Sequence, residues 1–286
     1  MITILITGSK GQLGNEMQVA APLFPSFQFI YTDVEELDIT NKAEIEEFVA
    51  INQIDAIINC AAFTAVDKAE DDVDLCYKIN ATAVQNLGEV AAEKGLKMIQ
   101  VSTDYVFDGT NYKPYSEDEP VSPTSVYGKS KLAGEEALLK AYPTSLIIRT
   151  SWLYSSFGNN FVKTMLKLGK ERDSISVIFD QIGTPTYAAD LAIAILNILN
   201  YETFTPGIYH FSNEGVCSWY DFTKAIHRIA GINNCKVLPI ETKDYPTRTP
   251  RPHYSVLNKA KIKSTYKLTI PYWEESLEKC ISILMK

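Results

Sequence analysis

Histidine is nearly absent: only three occur in 286 residues, set far apart, which argues against a histidine-rich metal centre. Cysteine is little better represented. Cys60, Cys76, Cys217, Cys235 and Cys280 are scattered, odd in number and never spaced C-x-x-C. That pattern excludes a disulfide framework and suggests reduced thiols. Positive charge is also short, with 27 basic against 35 acidic residues and a net charge of −8. A nucleic-acid surface would need a basic face, so no nucleic-acid partner is expected. A local basic pocket for a phosphorylated small molecule remains compatible with that balance. No long apolar run exists. The longest stretch, "LAIAILNILNY", is about half of what a membrane span requires, and the N-terminus shows neither a basic n-region nor a cleavage pattern. The expectation is a cytoplasmic protein with no membrane partner.

What is present is an ordinary globular composition, 46% hydrophobic, in a chain long enough to bury about 75% of its unfolded surface. Short apolar runs alternate with helical patterns. "ITILIT", "FQFIYT", "DAIINC", "KMIQVS" and "SLIIRT" read as buried strands. Between them lie "QLGNEMQVAA", "DITNKAEIEEFVAIN" with Thr40 or Asn41 as N-cap, a long helix over 72–95 stopped by Gly95, and "VYGKSKLAGEEALLKAY". Residues 103–124 form a Pro-, Tyr- and acid-rich loop. The predicted class is α/β, a Rossmann-like doubly wound parallel sheet over residues 1–150 that binds a dinucleotide. After residue 150 the rhythm loosens. "ISVIFD", "GIYHFSN" and "CKVLPIE" read as strands, and "AADLAIAILNILN" and "SWYDFTKAIHRIAG" as helices. A smaller, discontinuous α/β substrate lobe over 151–286 is expected, with roughly 174–200 returning to the first domain.

Three glycines follow the first strand at a spacing of three: Gly8, Gly11 and Gly14 in "TGSKGQLGNE". Gly8 lets the chain turn off the strand. Gly11 lets backbone N–H groups approach a pyrophosphate, and Gly14 lets helix pack on strand. The helix N-terminus adds open donors and partial positive charge. The spacing is G-x-x-G-x-x-G and not the commoner G-x-G-x-x-G, but strand and helix flank it as a dinucleotide site requires. Asp33, past the second strand, suits the adenosine ribose, and Asp38 lies near the adenine. An acid there disfavours a 2′-phosphate, whereas Lys10 could offset it, so NADH and NADPH both stay open.

Reducing a ketone with a nicotinamide requires an acid to protonate the developing alkoxide. Tyr127 and Lys131 in "YGKSK" fall on one helical face, between the fourth and fifth strands, at the carboxyl edge of the expected sheet. Tyr220 and Lys224 in "YDFTK" repeat the spacing in the later lobe, where packing is the simpler role. Lowering a tyrosine pKa from about 10 to about 7 takes about 4 kcal/mol. A cation ~4 Å away at an effective dielectric of ~20 supplies about that much. Lys131 is therefore expected to lower the Tyr127 pKa. Thr103, ending the fourth strand, can donate a hydrogen bond to the substrate oxygen. Arg248 and Arg251, in the Pro-rich "DYPTRTPRPHYSVLN", suit a diphosphate.

Together "TGSKGQLG", "NCAAFTAVDKAE", "VSTDYVFDG" and "VYGKSKLAGE" resemble the extended short-chain dehydrogenase/reductase family over nearly the whole chain. "STDYVFDG" and "RTPRP" resemble more narrowly the branch that makes dTDP-L-rhamnose. The resemblance implies NAD(P)H-dependent reduction of the C4 ketone of dTDP-4-dehydro-β-L-rhamnose, a step toward cell-surface polysaccharide. It makes Tyr127 the proton donor, Lys131 the holder of the nicotinamide ribose, and Thr103 an assistant to Tyr127. It places Gly11, Gln12 and Leu13 at the pyrophosphate, Asp38 and Ile39 at the adenosine, and Ala61, Ala62 and Phe63 along the cofactor. Thr103, Asp104 and Trp152 would touch the sugar nucleotide. It also brings a Mg2+ ion and a homodimer, though no local acidic cluster calls for a metal. Related 4,6-dehydratases carry Thr-Asp-Glu where this chain has Thr103-Asp104-Tyr105, and without that carboxylate simple carbonyl reduction is favoured. Two rivals share the fold: a reductase or epimerase on another nucleotide sugar, and a non-catalytic subunit resembling the regulatory subunit of methionine adenosyltransferase. An intact Tyr127/Lys131 pair beside Thr103 favours catalysis.

Overall fold

The computed structural model describes all 286 residues. The first half alternates: β1 (Ile2–Thr7), α1 (Gln12–Ala20), β2 (Phe27–Thr32), α2 (Lys42–Asn52), β3 (Ala56–Asn59), α3 (Val66–Ala69), α4 (Val73–Tyr77), α5 (Ala83–Lys94), β4 (Lys97–Thr103), α6 (Val126–Ala141) and β5 (Leu146–Thr150). The second half is more broken: β6 (Leu153–Tyr154), α7 (Phe161–Glu171), β7 (Ser174–Ile178), β8 (Ile182–Gly183), β9 (Thr186–Tyr187), α8 (Ala188–Asn200), β10 (Gly207–His210), β11 (Cys217–Ser218), α9 (Trp219–Ile229), β12 (Lys236–Ile240), α10 (Ala260–Tyr266) and α11 (Trp273–Leu284).

Six strands make one parallel sheet in the order β10-β5-β4-β3-β1-β2. Its central strands are buried on both faces, which is why they read as unbroken apolar runs. Ile4 and Ile6 point to one face and Leu5 to the other, following the two-residue period of a strand. One face packs on α1 and α8, the other on α2, α5 and α6. The chain leaves β1 for β2 on one side and then takes up β3 on the other. That reversal opens a crevice at the carboxyl ends of the strands.

The long helix expected over 72–95 is present but not uniform. Between α4 and α5 it passes through a π turn, Lys78–Thr82. The turn carries the buried Asn80 toward α6, where Gly134 leaves it room: a Cβ there would lie 2.0 Å from the Asn80 carbonyl oxygen.

The later segments differ from expectation in two places. Residues 174–178 do not return to the main sheet; β7 pairs in parallel with β12 in a separate two-stranded sheet. Residues 207–210, read as part of the later lobe, are instead the edge strand β10 of the main sheet, beside β5. Of the stretch 174–200, it is α8 that packs on the main sheet, its apolar face meeting α1. The helix α7 had no counterpart in the sequence reading, although Val162, Met165, Leu166 and Gly169 are buried at helical spacing. The second lobe has its own core, in which Val162, Val177, Phe222, Val237 and Leu277 come together.

Candidate active site

The glycine loop sits at the crevice. Gly8 turns off β1 at φ +65°, and a Cβ there would meet the Ala61 backbone nitrogen at 2.6 Å. Only glycine serves in that position. The Gly11 N–H donates to the Gly8 carbonyl at 3.1 Å, and α1 then starts with no carboxylate in its first turn. Its open N–H end, with Gly11, Gln12 and Leu13, lines a cavity of about 620 Å³. Gly14 lies beneath, against Gly8 and Ser9. A second cavity of about 370 Å³ joins the first at Gly11, Cys60 and Ala62, and is walled by Gly8, Asp33, Asp38, Ile39 and Ala61. The continuous groove, close backbone and anion-ready helix end fit a dinucleotide.

Within that groove Asp33 accepts the Lys10 backbone N–H at 3.1 Å and the Val34 N–H at 2.9 Å. The Lys10 ammonium turns away to Glu35 at 2.6 Å and Glu36 at 3.3 Å, so it does not offset Asp33. Asp38 accepts both the hydroxyl and the N–H of Thr40, which hold its carboxyl below the usual range. Phe63 departs from expectation. Its backbone pairs with Asn80 at 2.9 and 3.0 Å, and its side chain packs toward Cys76 and Tyr127, outside the cavity wall.

Ser125 caps α6 by accepting the Gly128 N–H at 3.1 Å. Tyr127 in the first turn and Lys131 one turn later are both buried and line the same cavity as Gly11–Leu13 and Thr103. Lys131 donates to the Val101 carbonyl at 2.8 Å. Burial pushes its ammonium down to about 8, opposed by the Glu135 carboxylate. Glu135 is itself fully paired: it accepts from Arg149 at 2.6 Å and from Ser102 at 2.5 Å, tying α6 to β4 and β5. The phenol of Tyr127 is pushed above its ordinary value by burial; Thr103 opposes this and the Asp104 charge adds to it. The expected lowering by Lys131 is therefore not what this state shows. Both groups are desolvated together, and the lysine is turned to a backbone carbonyl.

Tyr220 is half-buried against the core of the second lobe, and Lys224 lines a groove apart from these cavities.

A third cavity, about 570 Å³, opens from the first past Tyr105, Trp152, Phe161 and Trp219. Trp152 holds a strained φ of +48°, its ring stacked on Trp219 with centroids 3.5 Å apart and planes within 10°. Arg251 stands in the wall, its guanidinium 2.7 Å from Asp67. Arg248 does not reach the wall. It is half-exposed on the rim and ion-paired with Asp71. Trp219, Phe161, Gln181 and Ser255 line this space, and sequence reasoning missed all four. The one available signal was the Ser218–Asp221 capping box that starts α9 with Trp219 facing the cleft. No three His, Cys, Asp or Glu side chains gather around one point.

Comparison with known proteins agrees over the full length. The family model described as RmlD substrate binding domain matches residues 2–285. A dTDP-4-dehydrorhamnose reductase of Aggregatibacter actinomycetemcomitans is 42% identical, with 97% of this chain and 98% of that protein covered. The crystal structure of a dTDP-4-dehydrorhamnose reductase from Clostridium acetobutylicum superposes with a TM-score of 0.94 at 43% identity, covering both chains completely. One from Bacillus anthracis, solved with NADP, gives 0.93 at 41% identity over 99% of this chain and 100% of that one.

Proposed function

The chain belongs to the RmlD substrate binding domain family, and from that premise we propose how its residues serve an NAD(P)H-dependent oxidoreductase of dTDP-rhamnose biosynthesis. The reaction is reduction of the C4 ketone of dTDP-4-dehydro-β-L-rhamnose to dTDP-β-L-rhamnose. One observation carries the assignment of roles. Tyr127, Lys131 and Thr103 line a single cavity that shares wall residues with the glycine-loop groove on one side and an aromatic cleft on the other.

Bound NAD(P)H supplies the hydride. Gly8, Gly11, Gln12, Leu13 and Gly14 hold its pyrophosphate end, and Asp33, Asp38, Ile39, Ala61 and Ala62 the adenosine. Tyr127 gives its phenolic proton to the carbonyl oxygen as charge develops there. Burial serves this direction, because a phenol held above its ordinary pKa stays protonated until an alkoxide-like oxygen takes the proton. Lys131 keeps donors free beyond its bond to Val101 for a ribose hydroxyl. Trp152 and Trp219 wall the sugar. Arg251 faces the diphosphate once released from Asp67, whereas Arg248 contributes from the rim. We place the enzyme in the cytoplasm, where its five unpaired thiols are stable, and expect the homodimer that the resemblance brings.

The test is consumption of NADPH or NADH with dTDP-4-dehydro-β-L-rhamnose. Turnover that drops at least ~10³-fold in Tyr127→Phe, with nicotinamide binding retained, is expected. Absence of turnover in the native protein, or an unchanged rate in that variant, overturns the reading.

A further inference from the structure

Residues 155–160 join β6 to α7 and lie across the start of α1. Several contacts pin them there. The buried Ser155 hydroxyl donates to Glu16 at 2.6 Å. Gly158, at φ +61°, comes so close that a Cβ on it would lie 3.1 Å from Gln12 Cγ. Asn160 Nδ2 donates to Gln12 Oε1 at 2.9 Å. Gly158, Asn159 and Asn160 line the same cavity as Gly11, Gln12 and Leu13.

The hydrogen bonds of this segment have a direction. Asn160 caps α7, its Oδ1 accepting the Lys163 backbone N–H at 3.2 Å. Its amide nitrogen therefore faces the other way, where it meets only acceptors: the Ser155 carbonyl at 2.7 Å, the Phe157 carbonyl at 3.4 Å and Gln12 Oε1. A glutamine that gives its oxygen to Asn160 presents its nitrogen on the other arm of the amide. Gln12 Nε2 has no partner in the protein, so its N–H groups are left for an acceptor in the cavity. We propose that Asn160 is a positioning residue of the dinucleotide site: by taking the oxygen of Gln12 it turns the Gln12 amide N–H groups toward the pyrophosphate of the cofactor. An amide turned the other way would set an oxygen against the phosphate oxygens. What Asn160 contributes is thus the polarity of Gln12, and a segment that runs into the substrate lobe completes the cofactor site.

This rests on the NAD(P)H-dependent reading, and binding of NADPH or NADH alone tests it, by fluorescence titration with denaturant unfolding beside it. Asn160→Ser keeps a good N-cap but is too short to reach Gln12. It should weaken coenzyme affinity roughly 10-fold, because the bond lost is one to a charged acceptor. Gln12→Met removes the donor itself and should cost about the same. In the double variant the losses should not multiply: affinity falls roughly 10-fold again, against roughly 100-fold for independent sites. A residue that only holds the loop would weaken binding by its full factor in the Gln12→Met background too. Asn160→Asp also keeps the cap, but it offers Gln12 an oxygen, which reverses the amide. It should bind coenzyme more weakly than Asn160→Ser, and it carries the test if the serine variant does not fold. Multiplying losses, or native affinity in Asn160→Ser or Asn160→Asp, overturns the proposal and leaves Asn160 a helix cap. If the native protein binds neither NADPH nor NADH, the cofactor reading itself fails and takes the proposal with it.

Discussion

The dinucleotide half and the substrate lobe are built by different rules. In the first, β1 to β5 pair among themselves with the next strand or the next but one in sequence, β1 with β2 and β3, β3 with β4, β4 with β5, and only β5 also takes a late partner, β10. Its functional groups sit on those same short crossovers, Gly8–Gly14 after β1 and Tyr127–Lys131 on α6. In the second, β7 finds its partner β12 across an intervening stretch that includes α8, β10 and α9, and the cleft wall is assembled from residues 152, 161, 219 and 251. Local connection makes a site readable from a short stretch. Long-range assembly leaves only isolated aromatics and arginines with no visible common purpose.

The largest effect should come from breaking the local half at its tightest point. Gly8→Val forces a β-branched residue into positive φ and drives its Cβ into the Ala61 backbone, 2.6 Å away for the bare Cβ. We expect a loss of roughly 3 kcal/mol in stability and at least ~100-fold in NADPH affinity, measured by denaturant unfolding and fluorescence titration. Unchanged nicotinamide binding would remove the glycine loop from the cofactor site.

The strand β10 tests whether a late segment belongs energetically to the early half. His210, on β10 opposite Arg149 on β5, is wholly buried and holds the Tyr115 carbonyl at 3.1 Å through Nδ1. Burial first, then the Arg149 charge, pushes it down to about 3. The unfolded chain takes up that proton near 6.5, the folded one only near 3, so stability is intact above 6.5 and is lost as pH falls through that window. The loss is on the order of a few kcal/mol. Asp104, raised to about 6, contributes the opposite slope over an overlapping range. The difference between native protein and His210→Gln at matched pH isolates the histidine. The variant should unfold less steeply with acid, with β5 and β10 losing hydrogen-exchange protection together.

In the lobe, Trp219→Ala removes the ring stacked on Trp152 and a wall shared by two cavities. KM for the sugar nucleotide should rise ~10-fold while kcat changes less than ~3-fold, because an aromatic stack is worth about 1 kcal/mol beyond its buried area. NADPH affinity should not move. Equal loss of cofactor binding would mean that the lobe and the dinucleotide half do not divide the work as drawn here.

These contrasts explain what was legible. The strands through β5, the glycine turn, Asp33 and the Tyr127/Lys131 face are local patterns with periods of two, three or four residues. The helix α7 is a local pattern too, with its buried residues at 162, 165, 166 and 169. The pairing of β7 with β12 is not, because an apolar run such as "ISVIFD" announces a strand without its partner. The π turn that delivers Asn80 depends on contact with Gly134 of α6, and no local propensity records it. The charge of the arginines does not reveal that Arg248 and Arg251 are already held by Asp71 and Asp67.

That last pairing sets the smallest effect, at the seam between the two regions. Asp67 follows α3's first residue and belongs to the early half, whereas Arg251 belongs to the late loop, and Thr249 adds a backbone N–H to the same carboxylate at 3.2 Å. With Asp67 49% and Arg251 23% exposed, the pair is worth less than about 1 kcal/mol of stability. Asp67→Asn should therefore leave the unfolding midpoint almost unchanged. It frees Arg251 from a competitor for the substrate diphosphate, so KM for the sugar nucleotide should fall ~2- to 3-fold and become more sensitive to added salt. A KM that rises instead would show that Asp67 positions the guanidinium for the diphosphate rather than competing with it. The seam would then be part of the binding site and not a latch across it.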